Sequence, residues 1–165
     1  MSFLETYLKA VLYAYPLLQT VEKDYADHIT NKALLSYESK KTTEELAEYL
    51  AEEILRKEQL IWLKKTVRQV YERLSEEEKT LVSVRYFGKK RKGALDRKEI
   101  GENAKEKGMS ERMYFRRVKR AEEKMGAMLL SAGLDEETYV KDFAKIEPFQ
   151  KIHTFLEKNE KQKSG

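Results

Sequence analysis

The stretch GMSERMYFRRVKRAEEKM, residues 108–125, places six Lys and Arg residues beside a Tyr, a Phe and three Met. Ser110, two residues after Gly108, is a favoured N-cap residue at the position where a helix is expected to begin. At about 100° per residue, the apolar side chains fall on one narrow stripe. That stripe is Tyr114, Val118, Ala121, Met125 and Met128. The pattern predicts a helix over 111–131 that packs against an all-α domain through this face.

The opposite side of the same helix is cationic. It carries Arg112, Arg116, Lys119 and Arg120 together with Glu123, and it is flanked by Met113 and Arg117. A face of this kind is usually only a solvated surface with modest ion pairs. It can also read DNA, because an Arg pairs bidentately with guanine and any cation neutralises a phosphate. The positions of these residues around the helix, taken as a helical wheel, leave both interpretations open.

The residues before this helix favour the DNA interpretation. A helix of about 97–107 is predicted after Asp96, and Gly108 and Met109 then form a tight turn before the Ser110 cap. A helix, a turn and a second helix make a helix-turn-helix, whose second helix enters the major groove with its N-terminal residues at the base edges. The basic loop GKKRKG, residues 88–93, could add phosphate contacts through Lys89, Lys90, Arg91 and Lys92.

The charge distribution points to the same segment. Residues 75–130 contain 16 Lys and Arg against 10 Asp and Glu, a net charge of +6, whereas the remainder has 17 against 19, a net charge of −2. An excess of positive charge concentrated in one segment is typical of a surface that meets an anionic partner.

The rest of the chain also has helical periodicity, and no segment has the pattern of a strand. Helices are expected over 3–22 with a kink at Pro16, over 23–37, over 44–74, over 76–87 after a Ser75–Glu78 capping box, over 136–146 after Asp135, and over 148–158. We therefore expect an N-terminal helical region at 1–59, a DNA-binding domain at 60–132, and C-terminal helices with a tail at 133–165. The connecting helix between the first two is long.

Other kinds of site have little support. The chain has no Cys, so disulfides and thiolate metal sites are excluded, and its two His residues, His28 and His153, are far apart. We find no catalytic constellation, and we expect neither an enzyme nor a cofactor. No apolar run reaches the length of a membrane span, and the N-terminus has no signal-peptide pattern. The expectation is a cytoplasmic protein that does not contact a membrane.

Two apolar features could be either core or partner surfaces. Trp62 with Tyr7, Tyr13 and Tyr15 could form a partner-binding face, although aromatic residues at helical spacing more often pack in a core. The apolar C-terminal helices could cap the helix-turn-helix or hold a partner. Both alternatives stay open at this point.

Residues 60–130 resemble region 4 of the sigma-70-type RNA polymerase factors, and most closely the phage and prophage late transcription regulators of the ArpU and RinA kind. The matching positions are Leu74, Glu78, Leu81, Arg85, Tyr86 and Phe87 in the first part, and Ser110, Tyr114, Val118 and Ala121 in the second. The pattern departs from the family at Ile100–Gly101, which lies eight residues before Gly108 rather than about five. Residues 1–59 show no match to the promoter-melting region of sigma factors.

The resemblance implies a sequence-specific transcription regulator, phage-related, that is not a self-sufficient sigma factor. The residues that it places against double-stranded DNA are Ser110, Arg112, Met113, Arg116, Arg117 and Arg120. The resemblance also allows two further partners, RNA polymerase and a second copy of the chain. The alternative is a protein–protein interaction module that does not read bases, either an adaptor for polymerase or a sigma factor, or a phage packaging or assembly protein.

Overall fold

The computed structural model describes residues 4–35, 43–88 and 110–164, and every regular element within these ranges is helical. The elements are α1 (Thr6–Ala14), a 3₁₀ turn (Tyr15–Leu17), α2 (Leu18–Leu35), α3 (Thr43–Glu72), α4 (Glu76–Val82), a π-helical turn (Ser83–Phe87), α5 (Glu111–Ser131), α6 (Glu136–Asp142) and α7 (Glu147–Ser164). The predicted all-α fold class is confirmed. None of the described helices combines the length and the apolar character that crossing a bilayer requires.

Several helix ends form where the local sequence predicts them. The kink at Pro16 is the 3₁₀ turn between α1 and α2. The capping box before α4 is complete, because the Ser75 N–H donates to Glu78 Oε1 at 2.8 Å and the Glu78 N–H donates to Ser75 Oγ at 3.2 Å. Asp135 caps α6 by accepting from the Thr138 N–H at 2.7 Å. Each cap satisfies an amide that the first helical turn cannot bond internally.

Gly133 ends α5 in the manner that its position predicts. Its φ is +108°, a conformation that L residues with a side chain rarely adopt. The Leu134 N–H donates to the Leu129 carbonyl at 3.1 Å, and the Gly133 N–H donates to the Leu130 carbonyl at 3.0 Å. These two bonds are the Schellman pair, which satisfies carbonyls that the helix end would otherwise leave unbonded.

The chain forms two compact units. The larger unit comprises residues 1–15 and 67–165, and the smaller comprises residues 16–66. The predicted boundary between residues 59 and 60 falls inside α3, which supplies residues to both units. The compact units divide the chain at other positions than the predicted domains at 1–59, 60–132 and 133–165. Those domains are defined by expected function, and they stay a prediction.

The core of the larger unit draws its largest numbers of buried residues from α1 and α5, and α1 packs along α7. Aromatic rings fill it: Tyr7 and Tyr139 have centroids 5.6 Å apart, and Tyr139 and Phe149 have centroids 6.0 Å apart. The Tyr7 hydroxyl donates to the Leu134 carbonyl at 3.2 Å. Tyr7 and Tyr13 are thus core residues, whereas Trp62 in the smaller unit keeps 39% of its surface exposed.

The end of α4 differs from the expected regular helix over 76–87. Leu81 is buried as predicted, but Val84 and Phe87 are only half-buried, and Tyr86 takes the inward position at 2% exposure. The cause is the π-helical turn, whose i→i+5 hydrogen bonds rotate each successive side chain by less than an α-helix does. The Tyr71 hydroxyl joins α3 to this turn through a 2.6 Å hydrogen bond with Ser83 Oγ.

Candidate nucleic-acid interface

The N-terminus of α5 is capped and exposed. The Ser110 hydroxyl accepts from the Met113 N–H at 3.2 Å, which confirms the predicted N-cap. Ser110 and Glu111 are both exposed. A helix N-terminus that faces solvent offers backbone N–H groups and a positive dipole to an anion.

Three arginines form a column along the exposed face of α5. Arg112, Arg116 and Arg120 are all exposed and repeat every four residues, which aligns them on one side of the helix. Within the described residues they form no ion pair. Like charges at this spacing cost about 0.2–0.5 kcal/mol per pair, so an anion bound along the column would relieve a repulsion. Met113 is 45% exposed beside them, and Lys119 is half-buried.

Arg117 lies apart from this column, because it faces the first turn of α4. Its guanidinium pairs with the Glu77 carboxylate. About two turns further along α5 and nearly on the same side, Lys124 Nζ lies 3.0 Å from Glu78 Oε1. Both cations hold α5 against the acidic first turn of α4. A contact between Arg117 and DNA, as predicted, would compete with its ion pair to Glu77.

The Glu78 carboxylate predicts a pH dependence of stability. Its pKa is lowered from the ordinary value of 4.5, first by the hydrogen bond from the Ser75 N–H and then by Lys124. A carboxyl whose pKa is lower in the folded state stabilises the fold above its unfolded pKa and loses that contribution as the pH falls through the folded pKa. We expect the free energy of unfolding to decrease below about pH 4.5, with a shallower slope in Glu78→Gln, measured by urea unfolding across pH 3–6. An identical slope in wild type and variant would contradict this role.

The inner face of α5 is buried as the wheel predicts, with one exception. Tyr114, Val118, Ala121, Met125 and Leu129 are all at most 4% exposed. Met128, which the wheel places on the stripe, is only half-buried. The stripe therefore docks the helix and leaves the arginine column facing outward.

A buried acidic residue anchors the same face. Glu122 is 5% exposed, and its Oε1 accepts a 2.8 Å hydrogen bond from the Tyr86 hydroxyl. Arg85 Nε lies 3.0 Å from the same oxygen as an ion pair, without the alignment of a hydrogen bond. The Tyr13 ring packs on Tyr86 with centroids 4.6 Å apart. This Glu122 cluster, formed by Tyr13, Arg85, Tyr86 and Glu122, joins α1, the π-helical turn and α5.

The ionisation of the cluster follows from its burial. Burial and then the Glu122 charge raise the pKa of Tyr86 far above its ordinary value, so the hydroxyl stays protonated and donates. Burial is the largest single influence on Arg85 and lowers its pKa, but Glu122, Tyr86 and Tyr13 together outweigh it, and the net shift is upward. The cluster thus combines the Arg85–Glu122 ion pair with a neutral hydroxyl donor, and no local sequence pattern indicates it.

Gly126 allows α1 to approach α5 closely. A Cβ placed at this position would lie 2.6 Å from Leu4 Cδ1 and 3.5 Å from Leu8 Cδ1. Both leucines are buried. A larger residue at 126 would have to displace this packing, since cores tolerate added volume poorly. The back of the helix is therefore fixed on two sides, by the Glu122 cluster and by α1.

Phe115 is an exposed aromatic residue that the sequence did not single out. At about 100° per residue it lies at the edge of the buried stripe, and 41% of its surface is exposed. Together with Met113 it adds apolar surface to the cationic N-terminal half of α5. Apolar side chains of this kind can contact the methyl group of thymine or a protein partner.

Several predicted features lie outside the described residues. They are the basic loop with Lys89, Lys90, Arg91 and Lys92, the first helix of the motif at 97–107, and the Gly108–Met109 turn.

Each of the two histidines lies beside one carboxylate. His28 Nδ1 lies 3.4 Å from Glu53 Oε1, and His153 Nε2 lies 3.0 Å from Glu157 Oε1. Over the parts of the chain that the structure describes, no three acidic or histidine side chains converge as a metal site would require.

Comparisons with protein-family models, with curated proteins and with solved structures find no significant match to the chain. The candidate interface therefore depends on the geometry of α5 and on the residues quoted above for the resemblance.

Proposed function

We propose that this protein is a sequence-specific, DNA-binding transcription regulator of the phage type, and that the N-terminal half of α5 enters the major groove of duplex DNA. The observation that carries the proposal is the arginine column. Arg112, Arg116 and Arg120 stand on the face opposite the buried stripe, directly after a capped and exposed N-terminus. The charge excess of 75–130 and the resemblance of 60–130 to sigma region 4 support it.

The dimensions of a helix suit this role. An α-helix is about 10–12 Å wide with its side chains, and the major groove is about 12 Å wide. Four residues rise about 6 Å along the helix, close to two base-pair steps of about 3.4 Å. Arg112 and Arg116 can therefore reach positions about two base pairs apart. Recognition residues concentrate near the N-terminus of such a helix.

The side chains on the exposed face of α5 are assigned to different parts of the DNA according to their position along the helix. Arg112 and Arg116 are assigned to base edges, and Arg120 and Lys119, further along the helix, are assigned to phosphates. Ser110 and the first free amides of α5 would bind a phosphate at the helix end. Met113 and Phe115 would contact thymine methyl groups. The proposal assigns no catalytic role and no cofactor, and it places the protein in the cytoplasm with DNA.

A salt titration of the full chain tests the proposal. We expect the binding constant for a duplex, measured by fluorescence anisotropy, to fall with salt at a log–log slope of about −0.9 for each phosphate that is neutralised. A mixed-sequence duplex gives the non-specific affinity, and a selection from random duplexes gives the preferred site. Absence of binding to any duplex at low salt would refute the proposal.

A second candidate is an adaptor that binds RNA polymerase, a sigma factor or a phage assembly protein without reading bases. The exposed apolar pair Met113 and Phe115 favours it, because exposed apolar side chains within a cationic surface are typical of protein contacts as well. Under this alternative, the chain would show no salt-dependent duplex binding. A change of Phe115 to Ala would then abolish capture of the partner while leaving the fold intact.

A further inference from the structure

The smaller unit has little core of its own over most of its length. It is a hairpin of α2 and the first part of α3, held together by Lys64–Glu22 at 2.7 Å and Lys32–Glu53 at 2.8 Å. From residue 19 to residue 59, none of the side chains whose burial the structure describes is buried. A helix pair gains most of its stability from burying an apolar face, so this hairpin lacks the usual source of stability.

An apolar face runs along α3 on the side away from its buried residues. Ile54, Leu55, Ile61 and Trp62 are 42%, 53%, 38% and 39% exposed. They repeat as two pairs seven residues apart, the spacing that places side chains on one face of a helix. Ile54 and Ile61 also line a groove of about 290 Å³ between α2 and α3, together with Ala26 and Ile29. The groove is also lined by Thr30, Lys57 and Glu58, so the apolar side chains of this surface are bordered by polar ones within the smaller unit.

The charges along α3 indicate what would cover this surface. Residues 44–53 contain five Glu and no cation, whereas residues 54–65 contain four Lys and Arg and one Glu. In an antiparallel pair centred on Glu58, residues 44–53 of each copy lie opposite residues 63–72 of the other, which carry Lys64, Lys65 and Arg68 against one acid, Glu72. A parallel pair would place like charges together, which disfavours it.

We propose that a second copy of this chain covers the surface, and that the two α2–α3 hairpins pair through antiparallel α3 helices into a four-helix bundle. The register that sets Ile54 opposite Trp62 and Leu55 opposite Ile61 has its two-fold axis at Glu58. In that register Ala51 lies opposite Lys65 of the other copy. The bundle supplies the core that each hairpin lacks.

The mass of the full chain in solution tests the pairing without DNA, so its result is independent of the proposed function. We expect light scattering after size exclusion to give twice the 19.5 kDa mass of one chain as concentration rises. Trp62→Glu should weaken the dimer by roughly thirtyfold or more, the ratio that corresponds to a 2 kcal/mol hot spot. Phe155→Glu is the matched control, since Phe155 is an exposed aromatic residue in the middle of α7.

A substitution of Glu58 should change the affinity of the dimer in the opposite direction from Trp62→Glu. The register brings two Glu58 carboxylates together near the axis, and like charges at such a distance repel. Glu58→Gln should therefore strengthen the dimer by roughly twofold, as removal of one repulsive pair does. A variant that failed to fold could not produce a tighter dimer, so this result is informative even where Trp62→Glu is unstable.

Cross-linking tests the orientation directly. The chain has no cysteine, so introduced cysteines react without background. A mixture of tagged Ala51→Cys and untagged Lys65→Cys chains, treated with a short bismaleimide, should yield mixed dimers in preference to like dimers. A monomer at all concentrations, a dimer insensitive to Trp62→Glu, or a preference for like cross-links would each overturn the proposal.

Discussion

Replacing Arg112, Arg116 and Arg120 together by Ala should reduce the affinity for duplex DNA by roughly 10²–10⁴-fold, because each lost base or phosphate contact costs about 1–2 kcal/mol. The three side chains are exposed and form no ion pair within the described residues, so their replacement removes no ion pair there. The measurement is fluorescence anisotropy at fixed salt. The salt dependence of the triple variant should also be shallower, by about 0.9 for each of the three positions that contacts a phosphate.

A matched control separates local contacts from net charge. Arg68, Arg73 and Lys145 are exposed cations of the larger unit outside α5, and changing all three to Ala removes the same total charge. We expect this control to weaken binding far less than the α5 variant. Equal losses in the two triple variants would mean that DNA senses only the overall charge, and that the arginine column is not a recognition surface.

Single substitutions in the arginine column should distinguish a base contact from a phosphate contact. Arg116→Ala should relax the preference at one base pair, with a loss of about 1–3 kcal/mol for the preferred site only. Arg120→Ala should weaken preferred and mixed-sequence duplexes equally, as expected for a phosphate contact. The reverse outcome would exchange the two assignments.

Glu122→Ala should lower the free energy of unfolding by about 2–3 kcal/mol, since it leaves the buried Tyr86 hydroxyl and the Arg85 guanidinium without their shared partner. The side chain is 5% exposed and accepts the 2.8 Å bond from Tyr86, so water cannot readily replace it. The measurement is urea unfolding followed by circular dichroism.

Glu123→Ala is the control for this change, because Glu123 is the next residue of the same helix and is exposed. A surface substitution of this type changes stability by about 0.5 kcal/mol at most. Tyr86→Phe should cost less than Glu122→Ala, since it removes the hydroxyl and leaves the Arg85–Glu122 ion pair in place. If Glu122→Ala and Glu123→Ala were equally stable, the cluster would not anchor α5.

The features that sequence predicted best are those that local residues determine. The Ser110 and Asp135 caps, the complete Ser75–Glu78 box and the termination at Gly133 all depend on side chains or backbone conformations within one helical turn. The same holds for the buried stripe of α5, which follows from the helical period. These signals place the candidate face of α5 correctly because they need no knowledge of what packs against it.

The features that sequence missed depend on contacts between distant residues. Arg117 is predicted to meet DNA, but its partner Glu77 lies 40 positions earlier in the chain. No local pattern predicts the burial of Glu122, because its partner Tyr86 lies 36 positions earlier. The packing of α1 on α7, which places the two ends of the chain in one unit, likewise has no local signature.

The π-helical turn at Ser83–Phe87 also affects how related sequences should be aligned. Such a turn accommodates one more residue than the α-helical turn that it replaces. A relative whose α4 continues as a regular α-helix would therefore match this chain only with a one-residue gap within 83–87. Without that gap, Arg85 and Tyr86 would be aligned with residues that face a different direction, and the pairing with position 122 would be missed.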